Sequence, residues 1–294
     1  GADRGDLCAG VGGLHRAPGP RSAESAMKAS ALTIRLLVLA ALVALWAPLV
    51  PLVLRAFAGS WRFPDLWPRT FSTRGWHTLL APGSEVLGGL WLSTVIGGLV
   101  MVLSCAVAWP AGRVIGLRRF RGRRVVQIAL LLPVLVPAFA AALGLQIVFV
   151  RLGLAGSVIG VVLVQLIPAV PYATSILAAG FANLDTDFER QAQVLGASGW
   201  HRLTRVTLPL MRAPLTAAAL LAFLISWSDY VLTLLIGGGR VQTLPVQLFA
   251  AVGSTDATFA AAVALVIIAP ALLIVTGAGG VLAAGSRTGV GWRQ

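Results

Sequence analysis

What this chain lacks most is charge: only 11% of its 294 residues are Asp, Glu, Lys or Arg, where a soluble globular domain carries about 25%. Beside 57% hydrophobic residues, that scarcity excludes a water-exposed shell around a core and makes this a membrane protein. Lysine is almost missing, with Lys28 alone. A Gly-x-x-x-x-Gly-Lys-Ser/Thr phosphate loop is therefore impossible anywhere in the chain, which excludes an ATPase of its own. The three histidines, His15, His77 and His201, are scattered, and no pair has metal-ligand spacing. Of the two cysteines, Cys8 stands in a polar stretch and Cys105 in an apolar one, so neither a disulfide framework nor a cysteine metal site is available, and the redox compartment is unreadable. No hydrophobic run precedes Cys8, which argues against a lipid anchor there.

A net charge of +13 would point a soluble domain toward nucleic acid. Here the arginines cluster in short segments between apolar runs, as cytoplasmic loops do, and nucleic acid is excluded as a partner. Residues 1–28 are rich in Gly, Ala, Pro, Arg and Ser and lack the apolar core of a signal peptide. They read as a disordered tail, and Met27 is a candidate for the true start. A spanning helix needs about 20 mostly apolar residues, and six segments qualify, near 32–54, 86–110, 125–150, 158–180, 214–236 and 258–284. Pro168 and Pro171 are expected to kink the fourth, since each removes a backbone donor and crowds the preceding turn. The predicted fold class is all-α: one transmembrane domain over 29–286, a cytoplasmic loop at 181–212 within it, and a short tail at 287–294.

Orientation follows from arginine. With a cytoplasmic N-terminus, the inside loops hold Arg113, Arg118, Arg119, Arg121, Arg123, Arg124, Arg190, Arg202, Arg205, Arg212, Arg287 and Arg293, and the outside holds Arg55, Arg62, Arg69, Arg74, Arg151 and Arg240. The positive-inside rule then places both termini in the cytoplasm. The long outer segment, about 55–85, carries Trp61, Trp67, Phe71 and Trp76, residues suited to the membrane interface.

Between the fourth and fifth spans the chain turns polar. Phe188, Ala192 and Leu195 fall at i, i+4 and i+7, on one helical face, and Trp200, Leu203 and Val206 recur every third residue. Two short amphipathic helices are expected, with Gly196 in a left-handed turn between them, Ser198 capping the second and Pro209 ending it. A basic amphipathic loop held by anionic lipid is the plainer reading, and it requires no particular spacing. The stretch Glu189-Arg190-Gln191-Ala192-Gln193-Val194-Leu195-Gly196-Ala197-Ser198, followed at a fixed interval by Leu208-Pro209, resembles the EAA loop of the permease subunits of ABC importers.

That resemblance implies a MetI-like permease core of transmembrane helices in a bacterial inner membrane, a second permease subunit, two ATP-binding cassette ATPase subunits and an extracytoplasmic substrate-binding protein. It also implies that no cofactor is bound by this chain, ATP and Mg belonging to the ATPase, and that Glu189, Arg190, Ala192, Leu195, Gly196, Ala197, Ser198, Leu208 and Pro209 form the ATPase-coupling surface. Arg190-Gln191-Ala192 stands where the family usually has Glu-Ala-Ala, so the family's glutamate is displaced to Glu189.

Asp229 is the only acidic residue inside a predicted span, which makes it a functional candidate by default. With Ser226, Trp227 and Tyr230 it suggests a cation-friendly substrate path; the alternative is a carboxylate toward the outer end of the fifth span that is simply hydrated, or paired with a backbone group or a neighbouring arginine. The segment from Asp229 to Phe249, with Thr243-Leu244-Pro245, resembles the polyamine subgroup of these permeases, with sugar, iron, thiamine and phosphonate permeases as alternatives. Gly196-Ala197-Ser198-Gly199 matches the Gly-x-Ser-Gly of intramembrane serine proteases, but no span contains the histidine that such a serine needs. A secondary transporter or channel would commonly show several intramembrane charges or an inverted repeat, and neither is found.

Overall fold

The computed structural model describes residues 33–287 apart from 42, 45, 62, 63 and 255, so the predicted tail at 1–28 and residues 288–294 of the second tail lie outside the described residues. The chain divides into two compact units, Gly1–Pro51 and Leu52–Gln294. In the first, residues 33–41 are helical and Ile34, Leu36, Leu37, Val38 and Leu39 are all exposed, as expected of a lipid-facing segment. Helix α1 (Leu49–Ala56) crosses the boundary in sequence.

The second unit contains a two-stranded antiparallel ribbon, β1 (Ala58–Ser60) with β2 (Thr70–Phe71), and is otherwise helical. Its helices are α2 (Arg74–Leu80), α3 (Glu85–Leu117), α4 (Arg123–Leu135), α5 (Ala138–Arg151), α6 (Val158–Ala182), α7 (Asp187–Val194), α8 (Gly199–Arg202), α9 (Leu208–Leu210), α10 (Arg212–Trp227), α11 (Val231–Gly237), α12 (Leu244–Gly253) and α13 (Ala257–Arg287). Among the described residues, α3, α6 and α13 are long and apolar enough to cross a membrane unaided, and two bent pairs, 123–151 and 199–227, bring the number to five.

The centre of the unit is α6 packed against α3 and α10. Close approach is made possible by Gly112 and Gly116, one turn apart on α3. A Cβ at Gly112 would lie 2.8 Å from the Leu177 Cβ, and one at Gly116 2.6 Å from the Ala178 carbonyl oxygen. This is the small-xxx-small device of membrane helix pairs, where packing rather than water expulsion drives association. Ala108, Ala173, Leu177, Phe181, Met211 and Ala218 fill the same interface. At the other end of the bundle, α12 is fastened to α3 by the Leu244 N–H donating to Ser93 Oγ (2.9 Å) and the Gln247 amide donating to the Glu85 carbonyl (2.7 Å).

The fourth span, where Pro168 and Pro171 are expected to kink the chain, is a single helix, α6, that runs through both. Two expectations change. The third span breaks, because Val136 and Pro137 are both extended (ψ 130° and 126°), and the pair α4 and α5 is bent by 91°. Proline pushes its predecessor out of the helical region, which here ends α4 at Leu135. The fifth is also interrupted, α10 stopping at Trp227 and α11 starting at Val231.

Around the ribbon, Trp67 and Phe71 are exposed as expected of an interfacial surface. Trp76 instead turns inward and stacks on Phe57.

Candidate functional site

The stretch 187–210 folds as a helical hairpin at the arginine-rich end of α3. Helix α7 closes in the manner expected from Gly196, whose φ is +83°. The Gly196 N–H donates to the Gln193 carbonyl and the Ala197 N–H to the Ala192 carbonyl, the paired bonds of a Schellman motif. Ser198 Oγ accepts the His201 N–H at 3.3 Å and caps α8. Pro209 does not end the helix. A single π turn at Leu203–Thr207 follows α8, with the Leu208 N–H reaching back to the Leu203 carbonyl, and α9 then carries Pro209 in its first turn. A proline is tolerated there because no donor is required of it, and the chain next bends by 76° into α10.

Glu189 faces inward. Its Oε2 accepts from Arg113 Nη2 of α3 at 2.6 Å and its Oε1 from the Thr207 hydroxyl at 2.6 Å, leaving the side chain 12% exposed. Arg113 also lies over the Phe181 ring, 5.9 Å from its centroid. One carboxylate thus ties α7 to α3 and to the π turn. Arg202 Nη1 adds a second tie between the arms, donating to Gln193 Oε1 (2.8 Å). Arg190, at the position where the family usually has glutamate, is exposed and pairs with Asp187 of its own helix (2.9 Å). Ala192, Ala197 and Leu208 are half-buried, and Pro209 is exposed.

The outward face is apolar: Val194 is 87% exposed, Leu195 86% and Trp200 72%, with Phe188 beside them. A shallow groove between Asp187, Arg190, Gln191, Val194 and Leu195 separates the charged pair from this apolar tip. Thr207 is not marked by the sequence, and Arg113, read there only as a cytoplasmic-loop charge, instead lies within α3 as the partner of Glu189. Thr207 lies five residues from Arg202, but Arg113 lies 76 residues from Glu189, and no local pattern joins them.

The second candidate region lies where α10 gives way to α11. Asp229 caps α11: its Oδ2 accepts the Thr233 N–H (2.9 Å), the Thr233 hydroxyl (2.7 Å) and the Gln165 amide (3.2 Å), and its Oδ1 takes the Leu232 N–H at 3.4 Å. Gln165 of α6 is buried, and its carbonyl oxygen accepts from the Ser226 hydroxyl. Ser226, Gln165, Thr233 and Asp229 therefore form one network joining α6, α10 and α11. Trp227 does not flank the carboxylate. It is 3% exposed, stacks on Phe223 and donates Nε1 to the Ile267 carbonyl of α13 at 3.0 Å.

Tyr230 stacks on Phe249 of α12 with centroids 4.1 Å apart. Together with Asp229, Ser228, Tyr172 and the Val136-Pro137 bend, it borders a mainly apolar cavity of about 570 Å³. Gln165 and Thr233 escaped the sequence reading, although a lone amide in an apolar run is the signal that could have marked Gln165.

The family described as binding-protein-dependent transport system inner membrane component matches residues 108–287. The molybdenum transport system permease protein ModB of Mycobacterium tuberculosis is 30% identical over 228 residues, covering 72% of this chain and 83% of that one. The thiamine transport system permease protein ThiP of Escherichia coli is 27% identical over 193 residues, covering 64% of this chain and 36% of that one. Among solved structures, a chain of a bacterial ABC transporter that imports the acidic polysaccharide alginate superposes with a TM-score of 0.61 at 15% identity, over 86% of this chain and 96% of that one, a likeness of fold. A family match over more than half the chain, a permease relative matched along most of its length and a helical membrane core agree, and the chain belongs to the binding-protein-dependent inner membrane permeases of ABC importers.

Proposed function

We propose that the 187–210 hairpin is the surface through which a partner ATPase drives this permease, and that the cargo is a small oxyanion rather than a polyamine. The observation that carries the first part is the division of labour within the hairpin. Glu189 is consumed inside the chain by Arg113 and Thr207, whereas Val194, Leu195 and Trp200 are left exposed at the tip. Apolar side chains raised on a braced lever suit insertion into a groove of a protein partner, and aromatic and aliphatic anchors dominate such contacts. The partner's contact is therefore the apolar tip with Arg190 and Asp187 beside it, and Glu189 serves as the brace.

On this reading two ATPase subunits, a second permease subunit of the same or a related sequence and an extracytoplasmic binding protein complete the importer. Hairpin and both termini face the cytoplasm. Leu195→Asp should weaken association with the ATPase by roughly tenfold or more, as loss of a central anchor does, while the permease remains in the membrane. Normal ATPase retention on Leu195→Asp would overturn the docking assignment. A cysteine at Ser198 should resist a membrane-impermeant thiol reagent in intact cells, and labelling from outside would reverse the orientation.

For the cargo, two things favour an anion over a polyamine. A relative matched along 83% of its length carries molybdenum in its name, an element that travels in neutral water as a tetrahedral oxyanion. The carboxylate on which a cation path would depend already has its lone pairs engaged by four donors. Reconstituted uptake with the associated binding protein should favour molybdate over spermidine, thiamine or a neutral sugar. Preference for spermidine would restore the cation path, and preference for thiamine would place this chain with its thiamine-permease relatives.

A further inference from the structure

Beyond the Asp229 cavity, the groove between α4 and α6 opens again toward the arginine-rich end. Tyr172 of α6 borders the first cavity, and Ser175, Ala179 and Ala182, one and more turns further on, border the second, of about 350 Å³. Its polar lining is Arg123, Gln127, Thr174 and Ser175; the remainder is aliphatic, and no acidic residue takes part. Thr174 is fully buried and its hydroxyl has no hydrogen-bond partner. Arg123 Nε is likewise buried without an acceptor. The Ser175 hydroxyl is already committed, donating to the Pro171 carbonyl at 2.8 Å.

Two unpartnered buried donors on residues that line one cavity are anomalous. Leaving a buried donor unsatisfied costs about 1–3 kcal/mol, more where it is charged, and native chains pair nearly all of them. Position adds to the case. Arg123 is the first residue of α4, entered through Gly122 in the left-handed region (φ 88°), and that helix start has no side-chain cap. The first-turn N–H groups of a helix are intrinsically anion-seeking. Arg118, Arg119 and Arg121 stand in the same short stretch and raise the local positive potential.

We propose that the Arg123–Thr174 cavity is a binding site for a tetrahedral oxyanion group. The Arg123 fork would hold two of its oxygens, with the Thr174 hydroxyl and the Gln127 amide donating to others. A guanidinium offers such a group paired, charge-assisted hydrogen bonds that no neutral side chain supplies. Two sources share this chemistry, a free oxyanion such as molybdate or phosphate and the phosphate of a phospholipid headgroup, whose acyl chains the aliphatic wall would suit. The site depends on neither the docking assignment nor the cargo, because its residues lie outside the hairpin and the binding test needs no ATPase.

The test uses the full chain purified in a phosphate-free maltoside detergent. One arm strips lipid and titrates sodium molybdate and inorganic phosphate by calorimetry. The other looks for retained phospholipid by native mass spectrometry and titrates phosphatidylglycerol in mixed micelles. Saturable binding is expected in at least one arm, the arm identifying the source. Arg123→Gln and Thr174→Val should each weaken it by about tenfold, the scale of one lost charge-assisted or buried bond, and Arg123→Lys should recover part of the loss. Arg124→Gln, a charge removed from an exposed neighbour, should bind as the wild type does. Absence of saturable binding in both arms overturns the site, as does equal weakening by Arg124→Gln or unchanged binding in both cavity variants.

Discussion

Two apolar segments of this chain carry a pair of prolines each, and they behave oppositely. Helix α6 passes through Pro168 and Pro171 without a break, whereas the 123–151 segment, with Pro133 and Pro137, folds back by 91°. Each proline removes one backbone donor and crowds the turn before it, at a cost of about 3 kcal/mol or more in a helix interior. What differs is the surroundings. In its most apolar stretch α6 is 56% buried, against 28% for α3 and 22% for α13, and it is gripped by α3 on one side and α10 on another. None of the residues of α4 is buried. Neighbours that hold a helix on several sides offset the proline penalty at two positions in α6; in the segment without them, α4 passes Pro133 in its last turn but ends at Leu135, with Val136 before Pro137 extended. The bend then forms the wall of the 570 Å³ cavity beside Asp229, so an unsupported proline becomes part of the candidate path.

The comparison breaks most completely if the grip on α6 is removed. Gly116→Val places its Cβ about where a contact of 2.6 Å to the Ala178 carbonyl oxygen and to the Phe181 Cβ arises. The first is backbone and cannot move aside without shifting α6 itself. Overpacking of this kind costs about 1–3 kcal/mol and sometimes more. The expected outcome is loss of most of the monodisperse protein on size-exclusion chromatography after detergent extraction. If Gly116→Val extracts and elutes as the wild type does, α6 is not held by its contact with α3 and another cause of its continuity must be found.

A smaller effect is expected from the prolines themselves. With cysteine spin labels replacing the exposed Ile128 and Ile147, a continuous helix would separate the two by about 28 Å, and the bent pair holds them nearer. Pro137→Ala should lengthen the measured distance toward the straight-helix value. Pro168→Ala, in the supported helix, should leave α6 as it is and change the melting temperature little. Equal responses from the two substitutions would show that sequence rather than packing separates the segments.

The same division between local and long-range causes explains what the sequence made legible. The hairpin could be read because its signals are short-range: Gly196 at the left-handed position, Ser198 three residues before the N–H that it caps, and an apolar face at i, i+4 and i+7. The inward turn of Glu189 could not, since its partner Arg113 lies on another helix. The π turn escaped because Pro209 reads equally well as a stop or as a first-turn residue. Trp227 was placed beside Asp229 by proximity in sequence, although Phe223 and Trp227 at i and i+4 already define a face directed elsewhere, the one that packs on α13. Of the six segments read as spans, those near 86–110, 158–180 and 258–284 contain long apolar helices and those near 125–150 and 214–236 are bent or interrupted, while the one near 32–54 lies partly outside the described residues; composition is blind to where an apolar run bends.

The smallest effect expected is at Asp229, and it sharpens the contrast between supported and unsupported helices from the other side. The carboxylate sits where α6 contributes Gln165 to the start of α11, so its surroundings are those of the packed centre. Asn is as good an N-cap as Asp, and Asp229→Asn keeps one acceptor oxygen for the Thr233 N–H and hydroxyl. The lost charge removes the assistance that Gln165 and Thr233 receive, a difference of about 1 kcal/mol between charged and neutral acceptors. Assembly with the ATPase, basal hydrolysis and uptake of an anionic cargo should therefore remain within about twofold of wild type, since the change touches capping alone. A cation path through this point would behave differently: uptake would fall steeply while the amount of assembled complex stayed constant, because attraction for the passing charge would be gone. Measuring uptake and assembled complex side by side on Asp229→Asn distinguishes a helix cap from a counter-charge, and steep loss of transport in a fully assembled complex would return Asp229 to the substrate path.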